Sequence, residues 1–243
     1  MLTRAKPDAM ERPKRFYTAA EAGPVDGGFG VLLDGRPVKT PAGKRMALPT
    51  AALAGLVAGE WAAQGERLII DDMPATRLAF TALDRAPEAR EEVAAEIVAR
   101  IGADALCYFA EGPDVLTRRE AAHWGPLLDW AEAELGLELV RVSGLMHLPQ
   151  PEATLERART LALELGDFEL TGLVVAAGLY GSAILAFAVQ RARLGGEAAF
   201  DLSRLDEAFQ EERWGIDEEA AYRTARLRHE AAILERWFSA LRV

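Results

Sequence analysis

Residues 170–189 read LTGLVVAAGLYGSAILAFAV, about twenty residues without a single charge. A run of that length either crosses a bilayer or forms the centre of a soluble core. Ala and Gly dominate it, including Gly172, Gly178 and Gly181, with few of the large aliphatics that drive insertion and no aromatic belt at its flanks. Small residues also let neighbouring helices approach closely. The expectation is therefore one central buried helix over 168–193, without stable membrane insertion, around which the rest of the chain packs.

The remaining chain has the material for such packing. Half of the 243 residues are hydrophobic and 27% are charged, the balance of a globular protein rather than of a disordered one. The length suits one large or two unequal domains, and the local patterns favour two. Residues 1–74 read as β-rich with one helix, and residues 75–243 as all-helical, an α+β class. In the first part, 30–33 (GVLL), Asp34-Gly35 and 36–40 (RPVKT) form a hairpin signal with a type I′ dipeptide. A turn over 41–44 leads to 45–48, and 16–19 offers an edge strand. Thr50 is an N-cap for a helix over 51–64, whose Leu53, Val57 and Trp61 recur at helical spacing. Residues 66–70 read as extended.

Beyond Pro74 the pattern is helical over 75–85, 87–100, 118–135, 151–165, 168–193, 202–214 and 217–241. Either His123 or Trp124 joins the apolar stripe of 118–135, and 137–142 could be a strand.

Charge and cysteine usage narrow the function classes. Residues 1–50 carry nine Lys/Arg against five Asp/Glu, leaving 19 against 33 for the remainder, so a balance of +4 faces one of −14. The acidic part repels nucleic acid. The basic stretch of Arg4, Lys6, Arg12, Lys14 and Arg15 is diluted by Asp8 and Glu11 and reads as a solvated tail. Cys107 is the only cysteine, which excludes an internal disulfide and a Cys-rich metal site. The first fifteen residues lack the apolar core of a secretory signal. A bacterial cytoplasm is the expected address, or the mitochondrial matrix in a eukaryote.

Chemistry-bearing motifs fail one by one. His229-Glu230 begins like H-E-x-x-H, but Ile233 stands where the second ligand belongs. Gly27, Gly28 and Gly30 lack the spacing of a dinucleotide loop, and no phosphate-binding loop occurs. Gly181-Ser182 lacks the flanking glycines of a nucleophile elbow. Cys107 lies in an apolar setting that suits a small buried hydrophobe better than a thiolate. Asp71-Asp72 could ligate a cation but equally form a polar turn. No catalytic, cofactor-binding or metal-binding residue is assigned. The competing expectation is an enzyme whose site combines scattered carboxylates with His123 or His147.

One helix carries an unusual face. Over 202–214, Leu202, Leu205 and Phe209 define a core side, while at 100° per residue Glu207, Glu211 and Trp214 gather opposite, with Gln210 beside them. An aromatic among charges is the composition of a protein-binding hot spot. Alternatively, Gly215 ends the helix and turns Trp214 inward.

These residues also carry a resemblance. Residues 33–41 (LDGRPVKTP) with Gly43-Lys44, Glu60-Trp61, Leu106-Cys107-Tyr108, Trp124 with Trp130-Ala131-Glu132, and Ser203-Arg204-Leu205-Asp206-Glu207 with Arg213-Trp214-Gly215 resemble the F1-ATP-synthase assembly chaperones that bind the α subunit. The likeness runs from about Phe16 to the C-terminus. It implies a small β-rich domain followed by a helical one, and a protein that holds an unassembled α subunit until β replaces it. It also implies an important acid in the C-terminal helical region, carried onto Glu207, and an important Glu-Trp pair near the domain junction, carried onto Glu60 and Trp61. The oligomeric state stays open.

Overall fold

The computed structural model describes residues 12–144, 146–215 and 218–242. Arg4, Lys6, Asp8 and Glu11 lie outside the described residues, as does Asp217, the expected start of the last helix.

A small β region precedes a mostly helical one. Strands β1 (Ala20–Val25), β2 (Gly28–Leu33) and β3 (Arg36–Pro37) form an antiparallel sheet in that order. Asp34 and Gly35 both adopt positive φ, 47° and 79°, the conformation a type I′ hairpin requires. The edge strand expected over 16–19 falls instead on β1. The reason is a side chain: the Asp34 carboxylate accepts the Thr18 and Ala19 amides at 2.8–3.1 Å, so these N–H groups are already paired before the ladder begins.

Helix α1 (Ala51–Ala62) follows, with Thr50 Oγ1 accepting the Leu53 amide at 3.0 Å and Leu53, Val57 and Trp61 buried as their spacing requires. The same hydroxyl donates to the Ala240 carbonyl at 2.7 Å, tying the β region to the far end of the chain. Helices α2 (Pro74–Asp84) and α3 (Ala86–Gly102) come next. Strand β4 (Tyr108–Phe109) leads to α4 (Asp114–Trp130), which continues as a π-helical turn over Ala131–Leu135. Trp124, not His123, takes the core position on α4. Of the strand expected over 137–142 only Val142 enters a ladder, as β5 (Val142–Ser143) parallel to β4. The Gln150 amide satisfies both polar groups of the Val140 backbone, at 2.7 and 3.1 Å, and so replaces a neighbouring strand.

After α5 (Glu152–Glu164) the uncharged run forms two helices rather than one, α6 (Asp167–Tyr180) and α7 (Ala183–Gln190). Gly181 at φ 65° ends the first in the left-handed region, and the Ser182 hydroxyl caps the second through the Leu185 amide at 3.1 Å. Every residue of Ala183–Val189 is buried. None of the helices is long and apolar enough to cross a membrane, among the described residues.

A further correction concerns 202–214. Helix α8 (Gly196–Ser203) was not expected, and Leu202 belongs to it; Arg204 separates it from α9 (Leu205–Trp214). Helix α10 (Glu218–Leu241) closes the described chain, packing on α6, α8 and α1.

Candidate functional site

Helix α9 is held by one side only. Leu205 and Phe209 are buried, and Phe209 lies under two guanidinium groups, Arg213 at 4.2 Å and Arg119 of α4 at 5.5 Å, contacts of the cation–π kind. Arg119 also clasps Glu212 with two hydrogen bonds, 2.8 and 3.1 Å. That bond holds the Glu212 carboxyl below the usual carboxylate range. Arg204 engages Glu211 at 2.8 Å.

The four residues singled out on this helix differ in freedom. Glu207 and Gln210 are exposed, and neither side chain forms a hydrogen bond or ion pair among the described residues. Glu211 is half-buried and spent on Arg204. Trp214 is 77% exposed. Gly215, at φ 85°, does end the helix, yet Trp214 points outward. Asp206 and Glu207 occupy the first turn of α9, where a carboxylate is favoured by the helix dipole by about 0.3–1 kcal/mol. Glu207 therefore has a small structural role at most, and an exposed anion and indole remain on a helix anchored from behind.

Beneath the face lies a group that sequence reasoning missed. Glu120 of α4 is fully buried, with Oε2 accepting the Ala110 amide at 2.8 Å. Its Oε1 and the Asp206 Oδ1 are both buried without a conventional donor. Burial, and the Asp206 carboxyl bonded to it, push the Glu120 carboxyl up to about 7. A protonated Glu120 can donate to the facing Asp206 carboxyl, which couples α4 to the first turn of α9.

Glu60 and Trp61 sit elsewhere, where α1 meets α2. The Glu60 carboxylate accepts the Ala75 amide at 2.7 Å and the Thr76 amide and hydroxyl at 2.8 Å each, capping the first turn of α2. Burial raises its pKa, and those bonds oppose the rise. Trp61 is 6% exposed, and its carbonyl accepts the Tyr17 hydroxyl at 2.7 Å. Both side chains are thus built into the fold at that junction.

The groups considered for catalysis do not converge. His123 is exposed on α4, and His147 bonds the Tyr108 hydroxyl at 2.8 Å. His229 borders a small groove with Asp71, Asp72 and Arg226. Cys107 is buried, and burial followed by the nearby Asp104 charge pushes its thiol up to about 12. Ser182 is a helix cap. Among the described residues no three His, Cys, Asp or Glu side chains lie close enough to share a metal ion.

Comparison with known proteins agrees with this architecture. Residues 14–132 match the family described as ATP12 chaperone protein. The mitochondrial protein atp12 of Schizosaccharomyces pombe is 26% identical, the match covering 85% of this chain and 75% of that one. The crystal structure of Atp12 from Paracoccus denitrificans superposes with a TM-score of 0.86 at 38% identity, covering 94% of this chain and 98% of that one. A point mutant of the same Paracoccus protein matches equally well, at 38% identity over 94% and 97% of the two chains. The chain belongs to the ATP12 chaperone family.

Proposed function

We propose that this chaperone holds an unassembled α subunit of F1 ATP synthase, through the outer face of α9, until β displaces it. The observation that carries the reading is Trp214, 77% exposed beside the unpaired Glu207 on a helix whose opposite side is fixed to α4. An indole presented by a rigid element loses little entropy on binding, and burying it supplies the energy typical of a hot spot. Gln210 adds hydrogen bonds at its edge. Glu60 and Trp61 contribute indirectly, by setting the junction between the β region (1–74) and the helical region (75–243). No chemistry is assigned to the chain: the one thiol is buried and held protonated, the Glu120 carboxyl that faces Asp206 is buried, and among the described residues no three His, Cys, Asp or Glu side chains gather. The proposed address is the bacterial cytoplasm, or the matrix of a mitochondrion.

The test is suppression of aggregation of separately expressed α by Glu207→Lys and Trp214→Ser. Both substitutions are expected to abolish protection while lowering stability by no more than the roughly 1 kcal/mol that a dipole contact is worth. Full protection by both variants, or collapse of the fold in both, would sink the assignment of this face.

A further inference from the structure

The β region carries a groove of about 490 Å³ that the α9 reading leaves unused. Its walls come largely from the 33–39 stretch, with Phe16 and Trp61 opposite. Two observations concern what would fill it. Phe16 is 72% exposed, yet it is not loosely attached: its ring meets Tyr17 edge-on at 5.4 Å, and Tyr17 in turn packs on Trp61 at 5.9 Å. Arg15 stacks over Tyr17 at 4.6 Å and bonds the carbonyls of Tyr17, Thr18 and Gln64. An aromatic is therefore presented to solvent by a pinned backbone.

The charge lining it is net positive, Arg36 and Lys39 against Asp34. Asp34, the single acid of the groove, is spent on the Thr18 and Ala19 amides, and those bonds keep it ionised below the usual carboxylate range. Arg36 and Lys39 are exposed at the rim, and neither side chain has an ion-pair or hydrogen-bond partner among the described residues.

We infer that this groove is a second docking surface, which takes an extended acidic segment of the client. Its carboxylates meet Arg36 and Lys39, and an apolar side chain lies against Phe16 and Pro37. Nucleic acid fits less well. Two cations, one of which also feels the Asp34 charge, are few for a phosphate backbone, and the −14 balance of residues 51–243 repels a long polyanion. The inference rests on the reading of the chain as a holder of a protein client, and it divides the work between two surfaces. The acidic helical face grips through Trp214, and the cationic groove tethers an acidic stretch, so that each contact raises the effective concentration of the other.

The experiment is a fluorescence-anisotropy titration of the full chain with two short fluorescein-labelled peptides. One alternates Asp and Glu with Leu and Phe, and the other has Lys in place of the acids. The acidic peptide is expected to bind, to weaken about tenfold or more in the Arg36→Glu/Lys39→Glu double variant, and to weaken with added salt. Phe16→Ser reads the apolar contact without touching charge. Both sets of side chains are exposed, so circular dichroism melts should match the unmodified chain. Equal binding of the basic peptide, an unchanged Kd in the double variant, or displacement of the acidic peptide by single-stranded oligo(dT) at comparable affinity would overturn the proposal. Glu207→Lys separates the two readings, because it should abolish protection of α while leaving the peptide titration unaltered. Retained protection in Glu207→Lys alongside lost peptide binding in the double variant would condemn the α9 face and leave the groove standing.

Discussion

Glu120 has no solvent contact, and its carboxyl is raised to about 7 from the ordinary 4.5, by burial first and by Asp206 second. The consequence for stability has a definite sign. Between about pH 4.5 and 7 the unfolded chain releases a proton that the folded chain keeps, so the native state binds more protons and stability falls as pH rises through that window. Above it Glu120 is charged in a buried site facing Asp206, and α9 is held less firmly. Glu120→Gln keeps a neutral group that can accept from Ala110 and donate to Asp206. Thermal melts at pH 5 and pH 8 should then show a smaller loss for Glu120→Gln than for the unmodified chain, with the variant the more stable at pH 8. Identical slopes in the two proteins would rule out the raised Glu120 carboxyl. Cys107 gives a simpler expectation: buried, with its thiol pushed up to about 12, it should resist alkylation in the folded protein and react fully once urea unfolds it. Rapid labelling under native conditions would contradict that burial. Trp214 was legible because a 100° wheel needs only local sequence, whereas the exposure of Phe16 depends on Arg15, Tyr17 and Trp61 meeting across more than forty residues.

Elements whose signals are local emerged from the sequence with little change. Thr50 caps α1 and Asp34-Gly35 turns the hairpin because both depend on residues within a few positions. The α6–α7 break carried a local signal too, a C-terminal Gly181 followed by the N-cap Ser182. It was masked because a helix apolar on every side has no polar face to mark where its phase ends. The displaced edge strand and the shortened β5 stem from side chains, Asp34 and Gln150, that bond backbone groups ten or more residues away, and no periodicity reports those. Gly196 illustrates the same limit. A Cβ there would lie 2.0 Å from the Ala231 carbonyl oxygen, so it is the contact point at which α8 and α10 cross. Gly178, on an exposed part of α6, has nothing within 4 Å of such a Cβ. Gly196→Ala should therefore cost about 3 kcal/mol or more through forced separation of two helices, while Gly178→Ala should gain about 0.5–1 kcal/mol from helix propensity. Urea titrations of the two variants check this, and equal effects would show that the α8–α10 crossing is looser than drawn.

Architecture and stability divide this chain differently. The β region and the helical region are distinct in structure, and the division proposed between residues 74 and 75 falls in the first turn of α2. Yet one buried apolar cluster runs without interruption from Tyr17 and Val31 through the α7 residues to Trp237 and Ala240. Helix α1 stands between, packing on β1 and β2 on one side and on α2 and α10 on the other. Two polar ties cross the same region: Thr50 to the Ala240 carbonyl, and Glu60 to the first turn of α2. A chain joined in this way should open globally rather than in halves. Native-state hydrogen exchange followed by mass spectrometry should accordingly give the same free energy of opening for the most protected amides of β2 and of α7. Glu60→Ala strips the Ala75 and Thr76 amides of their acceptor, which costs about 1–3 kcal/mol for buried donors, and that loss should lower both free energies together. If β2 instead opened at a much lower free energy, and Glu60→Ala lowered that value alone, the β region would be an independent unit hinged at residue 74. A tether and a grip on separately moving units would then lose the fixed spacing that the two-surface reading requires.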